Sequence, residues 1–243
     1  MQEPGVKNYD IYVMLSRTHS KFGQAIQRIT RDTYSHASIA FDADFKYLFG
    51  MGRHYHRVPV VAGLIREYPE RFTLKKYDYV EVIIYRIPVT KEQYMLGARR
   101  VREIIRDSEG YLYNLYSTLT FPIFHGLETY KSYTCSELVV YLLELMGVEL
   151  PTNREAFRYT PQQMEELMSG FEVVHKGNLL DYVHDAPPRE TAFFRSVHMI
   201  RDSLDTVYVL TELIRRRRRM VHPGWAACCR RWGNIKGQKH SAK

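Results

Sequence analysis

Thr134 and Glu137, three residues apart in the run Tyr133-Thr134-Cys135-Ser136-Glu137-Leu138-Val139-Val140-Tyr141-Leu142-Leu143, constrain the fold more than any other segment of the chain. The spacing is that of a capping box, so Thr134 becomes the N-cap and Cys135 the first residue of an amphipathic helix that stops at Gly147. A cysteine at that position meets unpaired backbone N–H groups and the positive end of the helix dipole. Both favour thiolate, the nucleophilic form, over thiol. A free cysteine among Leu and Val is otherwise most often a small buried hydrophobe. The catalytic reading therefore needs a partner, a histidine able to take and return the thiol proton. His36, in Tyr34-Ser35-His36-Ala37-Ser38-Ile39-Ala40-Phe41, opens a short alternating strand and is the candidate.

Around these two residues the pattern is α+β. Ile11 to Ser16 reads as a first strand, and Lys21 to Ile29 as a helix with Phe22, Ala25, Ile26 and Ile29 at helical spacing. His36 to Phe41 and Tyr47 to Met51 form a hairpin turned at Asp42-Ala43-Asp44. An irregular Pro- and Gly-containing stretch follows, then a strand from Tyr79 to Ile87 and a helix from Thr90 to Asp107. Residues Tyr111 to Tyr130 read as an aromatic loop. Thr160 and Gln163, with Pro161 between them, form a second capping box and start a helix to about Met168. A strand from Phe171 to His175 completes the domain. Leu138, Val139, Leu142 and Met146 are the stripe by which the cysteine helix packs.

The cysteine and histidine segments together resemble the NlpC-type cysteine peptidases. Their nucleophile lies in a Tyr-x-Cys-Ser-x-Leu-like run, and their histidine begins a strand of the form His-x-x-Ile. Here His36 precedes Cys135, the order of the circularly permuted branch that includes the YiiX and YycO-like proteins and the lecithin retinol acyltransferase group. The YycO-like likeness extends to Ile11–Ser16, Phe49-Gly50-Met51-Gly52-Arg53, Thr160-Pro161, Gly177 and Asp181-Tyr182, and so covers roughly residues 8 to 183. It implies a circularly permuted papain-like fold, mostly an antiparallel sheet with the nucleophile helix packed on it. The implied activity is a thiol hydrolase acting on an amide or peptide bond. An acyltransferase or acyl hydrolase acting on lipid is the alternative, and a binding module for a peptide, lipid or cell-wall fragment is a third. The family's third polar residue falls near Phe49 to Met51, where no side chain can orient an imidazole. A backbone carbonyl, a water or Tyr47 is left to do so, and the third member stays unassigned.

A chain of 243 residues with 45% hydrophobic content can bury one core of roughly 150 to 200 residues with some left over. The expected division is a catalytic domain over 1–185, an amphipathic helical extension over 186–214 and a basic tail over 215–243. Thr191 to Leu213 forms the extension's helix, with Phe193, Phe194, Val197, Ile200, Leu204, Val207, Val209, Leu210 and Leu213 on one broad face. The tail holds ten Lys or Arg and no acid, whereas the first 214 residues carry 25 basic against 27 acidic groups. Such a tail binds an anionic membrane surface or nucleic acid nonspecifically, or is only a solvated extension, and its deletion should leave the core folded. Cys228 and Cys229 are adjacent and poorly placed for an ordinary disulfide, so with Cys135 they point to a reducing compartment. No run reaches the length of about 18 apolar residues that a membrane span needs. A cytoplasmic protein, peripheral at the inner membrane surface if the tail engages lipid, is the expectation. No cofactor is implied. His54-x-His56 finds no neighbouring ligands in the sequence, so no metal is expected either.

Overall fold

Strand alternation along Tyr9–Ser16 (β1) sends Ile11, Val13 and Leu15 to one face of a sheet and Tyr12 and Met14 to the other, and these five side chains are buried. In the computed structural model, which describes residues 9–20, 24, 33–183 and 192–221, this strand lies near the middle of a mixed, mostly antiparallel eight-stranded open sheet. On one side of β1 lie His36–Ala40 (β2), Leu48–Tyr55 (β3) and Val58–Arg66 (β4), followed by the two-residue strands Leu112–Tyr113 (β6) and Ser132–Tyr133 (β7). On the other lie Glu81–Val89 (β5) and Glu172–Asn178 (β8). Every pairing is antiparallel except that of β6 with β7.

The helices are Pro69–Thr73 (α1), Lys91–Arg106 (α2), Leu115–Phe124 (α3), Cys135–Leu145 (α4), Gln163–Leu167 (α5), Leu179–Tyr182 (α6) and Met199–Val221 (α7). The expected architecture is thus α+β at this level. Helix α4 packs on β2 and β3 and against α2, with Leu138, Val139, Leu142 and Met146 fully buried as the stripe anticipates. The helix expected over Lys21 to Ile29 lies outside the described residues apart from Gln24, which is helical.

Three segments differ from the sequence-based expectation. The stretch after Tyr55 contains the nine-residue strand β4 despite Pro59 and Gly63. Pro59 is at the second residue, where a strand tolerates it. Gly63 is needed because a Cβ there would lie 2.5 Å from the carbonyl oxygen of Tyr111, where β6 closes in. The aromatic stretch 111–130 holds β6 and α3, the latter capped by Asn114, whose side chain accepts from the Ser117 N–H at 3.1 Å. That helix is apolar around its circumference, with Leu119, Ile123 and Phe124 exposed, so periodicity does not reveal it.

The third difference is the C-terminal helix. Phe193 and Phe194 belong to a separate 3₁₀ turn, Ala192–Phe194, and α7 starts only at Met199. Asp202 explains the break: its carboxylate accepts from the His198 N–H and pairs with Arg195, holding the chain before the helix away from the helical path. The buried face carries Asp202, Val209, Glu212, Leu213 and Arg216, while Ile200, Leu204 and Val207 of the expected apolar face are exposed. The helix also runs unbroken past residue 214, so the arginine run is its last turns rather than the start of a separate tail. Arg216, 1% exposed, donates to the carbonyls of Glu109, Gly110 and Lys131 and to Glu212. Arg215 and Arg219 pair with Glu109, and Arg217 donates to the Glu128 carbonyl. These arginines clamp the helix to the segments leading into β6 and β7. The remaining basic residues, Arg230 to Lys243, lie outside the described residues, as do Cys228 and Cys229. No helix among the described residues is long and apolar enough to cross a membrane.

Candidate active site

The capping box of α4 forms as the sequence anticipates. The Thr134 hydroxyl accepts from the Glu137 N–H at 3.2 Å, and Glu137 accepts from the Thr134 N–H at 3.0 Å. Cys135 therefore occupies the first helical position, and the N–H groups of Cys135 and Ser136 belong to the set that no intrahelical carbonyl can reach. The thiol is buried, at 3% exposure. It opens on a small cavity of about 30 Å³ lined by Tyr113, Thr118, Phe121, Tyr159 and Pro161.

His36 begins β2, the strand against which α4 packs, and Cys135 lies close enough to its imidazole to favour the charged ring. The two predicted residues are thus brought together. Nε2 of His36 donates to Glu67 Oε1 at 2.7 Å, which leaves Nδ1 as the nitrogen available to Cys135. The other carboxylate oxygen accepts a hydrogen bond from Ser38, two residues beyond His36 on the same face of β2. Burial disfavours the imidazolium, but the Glu67 charge, the influence of the nearby Cys135 and the hydrogen bond with Glu67 outweigh it and push His36 up to about 10. Burial likewise works against the Glu67 carboxylate, yet the His36 charge and the bonds from His36 and Ser38 hold it below its ordinary value. Glu67 and His36 therefore form a buried ion pair at neutral pH.

Glu67 is the residue that sequence reasoning missed. The third group was sought on the strand beside His36, near Phe49 to Met51. It comes instead from the position just after β4, one strand further, and reaches back across β3. Its backbone N–H is tied to the Leu48 carbonyl at 2.8 Å, which continues the β3–β4 ladder by one residue and aims the side chain inward. The reach is open because position 50 is glycine: a Cβ there would lie 2.7 Å from Glu67 Oε2. Tyr47, the substitute considered from sequence, has its ring beneath the Arg66 guanidinium and is 54% exposed.

Tyr113, on β6, is the further polar group at the thiol. Its hydroxyl lines the thiol cavity and accepts from the Thr118 hydroxyl at 3.1 Å. Burial and the neighbouring Cys135 keep it protonated far above the ordinary phenol range, so it acts as a donor. Tyr111, Tyr133 and Tyr141 form a stack of rings tied by Arg100, away from the thiol, so among these tyrosines it is Tyr113 that lines the cavity. On the far side of His36 a second cleft, of about 80 Å³, is lined by His36, Glu67, Arg53, Arg71, Phe72 and Phe193, and it shares Ser35 and Tyr113 with the first. Cys135 thus lines the first cavity and His36 the second, with Ser35 and Tyr113 on both. Compared with known proteins, the chain matches no family model, no curated protein and no solved structure.

Proposed function

We propose that this chain is a thiol hydrolase of the permuted papain-like kind, cleaving an amide or peptide bond with Cys135 as nucleophile and His36 as acid and base. The observation that carries the reading is the chain of contacts Cys135–His36–Glu67, which connects a helix-N-terminal thiol to a histidine held by a buried carboxylate. Cys135 attacks the carbonyl carbon as thiolate, its charge balanced by the His36 imidazolium. The oxyanion that forms is met by the first N–H groups of α4 and by the Tyr113 hydroxyl. His36 passes its proton to the leaving amine as the C–N bond breaks, and a thioester remains. Water, deprotonated by His36, attacks the thioester; collapse releases the carboxylic acid and restores the thiolate. Glu67 holds the ring throughout and does not itself change protonation.

A lipid acyl substrate is the second reading. It is favoured by α3, which contributes Thr118 and Phe121 to the thiol cavity while Leu119, Ile123 and Phe124 stand exposed on the same helix. In that case a nucleophile other than water can resolve the thioester. The basic residues beyond Val221 would contact anionic lipid headgroups, or nucleic acid in a different setting, through nonspecific electrostatics.

Labelling of the purified full-length protein with an electrophilic thiol probe, read by peptide mass mapping, tests the reading. Cys135 should be modified ahead of Cys228 and Cys229 at neutral pH, and Cys135→Ser should remove both this label and any hydrolysis. Preferential modification of Cys228 or Cys229 in the folded protein would point to a binding module with an inert thiol.

A further inference from the structure

Helix α7 is held to the domain by its polar face. The residues it buries are Asp202, Glu212 and Arg216 with the apolar Val209 and Leu213. Ile200, Leu204, Val207, Ile214 and Val221 fall on the opposite face, because steps of four, three and seven residues return to one side of an α-helix. All five are exposed. They form an apolar stripe about 32 Å long at 1.5 Å per residue, nearly the full length of the helix. An exposed stripe of that extent marks a surface with a partner. The charge beside it is one-sided. Exposed residues of α7 include Arg201, Arg215 and Arg218 and no acid. Arg201 pairs with Asp205, and Arg215 with Glu109 and Glu212. Arg217 donates only to the uncharged Glu128 carbonyl, and Arg218 pairs with no carboxylate among the described residues. From position 222 to 243 the sequence adds five Lys or Arg and again no acid.

We propose that the exposed face of α7 docks in the plane of an anionic lipid surface. The apolar stripe enters the boundary between headgroups and acyl chains, and the arginines at its end meet headgroup phosphates and carboxylates. Arg218 lies within the stripe, four residues after Ile214 and three before Val221. Its long stem packs with these neighbours while the guanidinium reaches the headgroup level. A second copy of the chain fits this face less well. Two such stripes laid together would bring exposed arginines from both helices and no exposed acid to answer them, whereas anionic headgroups neutralise that charge. The stripe is available because Asp202, Glu212 and Arg216 fasten the helix through hydrogen bonds on its other side. This surface is separate from the thiol cavity and does not depend on the reaction at Cys135. It assigns lipid contact to a folded helix rather than to the residues beyond Val221 alone.

Co-sedimentation of the full-length protein with vesicles of phosphatidylcholine, with and without phosphatidylserine, tests this. The wild type should bind the mixed vesicles and bind phosphatidylcholine alone more weakly. Replacing Ile200 and Leu204 together by Gln should weaken binding to the mixed vesicles about tenfold or more, because two apolar side chains no longer leave water. Arg218→Gln should weaken it severalfold. Ile200 and Leu204 are 81% and 65% exposed, so the double variant should melt as the wild type does. Val207→Gln with Ile214→Gln probes the same stripe independently and should lose binding alike. Cys135 alkylation by iodoacetamide should be unchanged in all of them, which keeps this test apart from that of the hydrolase reading. Wild-type binding by both double variants would leave the tail as the lipid contact and overturn the surface on α7. So would a wild type that ignores mixed vesicles. A wild-type dimer in sedimentation velocity that the Ile200→Gln, Leu204→Gln variant dissociates would also overturn it, making the stripe a seam between two copies.

Discussion

Nε2 of His36 and Oε1 of Glu67 lie 2.7 Å apart, joining the first residue of β2 to the residue just past β4 over the intervening strand β3. The contact converts a strand-opening histidine into an oriented imidazolium. Its proton and its direction toward Cys135 both depend on a carboxylate that is neither adjacent in sequence nor on the neighbouring strand.

Replacing His36 by Ala should slow alkylation of Cys135 near neutral pH by roughly tenfold or more, as expected for removal of a positioned acid–base group. Stopped-flow measurement with iodoacetamide across pH provides the check. A rate–pH profile identical to that of the wild type would show that the two side chains do not act as a pair.

Glu67→Gln removes the charge while keeping a group of similar size. In the wild type the His36 ring resonances should stay constant from about pH 5 to 8, because the group is pushed up to about 10. In the variant they should titrate within that range, which NMR of the imidazole protons would show.

The same pair sets a pH dependence of stability. His36 is raised above its ordinary 6.5, so its contribution is fully present below that pH and is lost as pH rises through about 10. Glu67 is lowered below 4.5, so its contribution is present above that pH and lost as pH falls through the depressed value. Urea unfolding should therefore show wild-type stability declining from neutral to alkaline pH by more than that of Glu67→Gln. A buried pair deprived of one member loses about 3 to 5 kcal/mol, so the variant should be less stable at neutral pH.

Gly50→Ala should mimic the Glu67 variant without touching an ionisable group. The added methyl would meet Glu67 Oε2 at 2.7 Å, at the held end of the side chain, and the carboxylate must move. We expect a loss of about 1 to 3 kcal/mol and a His36 titration shifted toward its ordinary range. An undisturbed His36 spectrum would mean that β3 yields instead.

Cutting the chain after Ile214 should destabilise the domain, whereas cutting after Val221 should not. Arg216 is buried against three backbone carbonyls and Glu212, and Arg216→Ala alone should cost about 3 to 5 kcal/mol. Thermal unfolding of the two truncated proteins separates the cases, and equal stability would mean that the arginine run is solvated after all.

Elements set by neighbours in the chain were legible in the sequence. The Thr134–Glu137 and Thr160–Gln163 boxes, the alternation of β1, β2 and β5, and the stripe of α4 are governed by spacings of two to four residues. The bonds that make the boxes join residues equally close. Cys135 at a helix start and His36 at a strand start could be read on that basis. Even β4 carried a local signal in Val60, Val61, Leu64 and Ile65, obscured by Pro59 and Gly63.

The third member of the site carried only a faint signal: Gly50-x-Gly52 empties one face of β3, and an acid ends the next apolar run. That Glu67 fills the gap depends on the register of β3 with β4, which the sheet sets as a whole. The arginine run shows the same limit in reverse. Composition reads five consecutive arginines as a solvated charge, because charge alone does not say where carbonyls without partners will lie. Folding brings the carbonyls of Glu109, Gly110 and Lys131 together around one helix position, and Arg216 is buried there because five N–H donors can satisfy them at once.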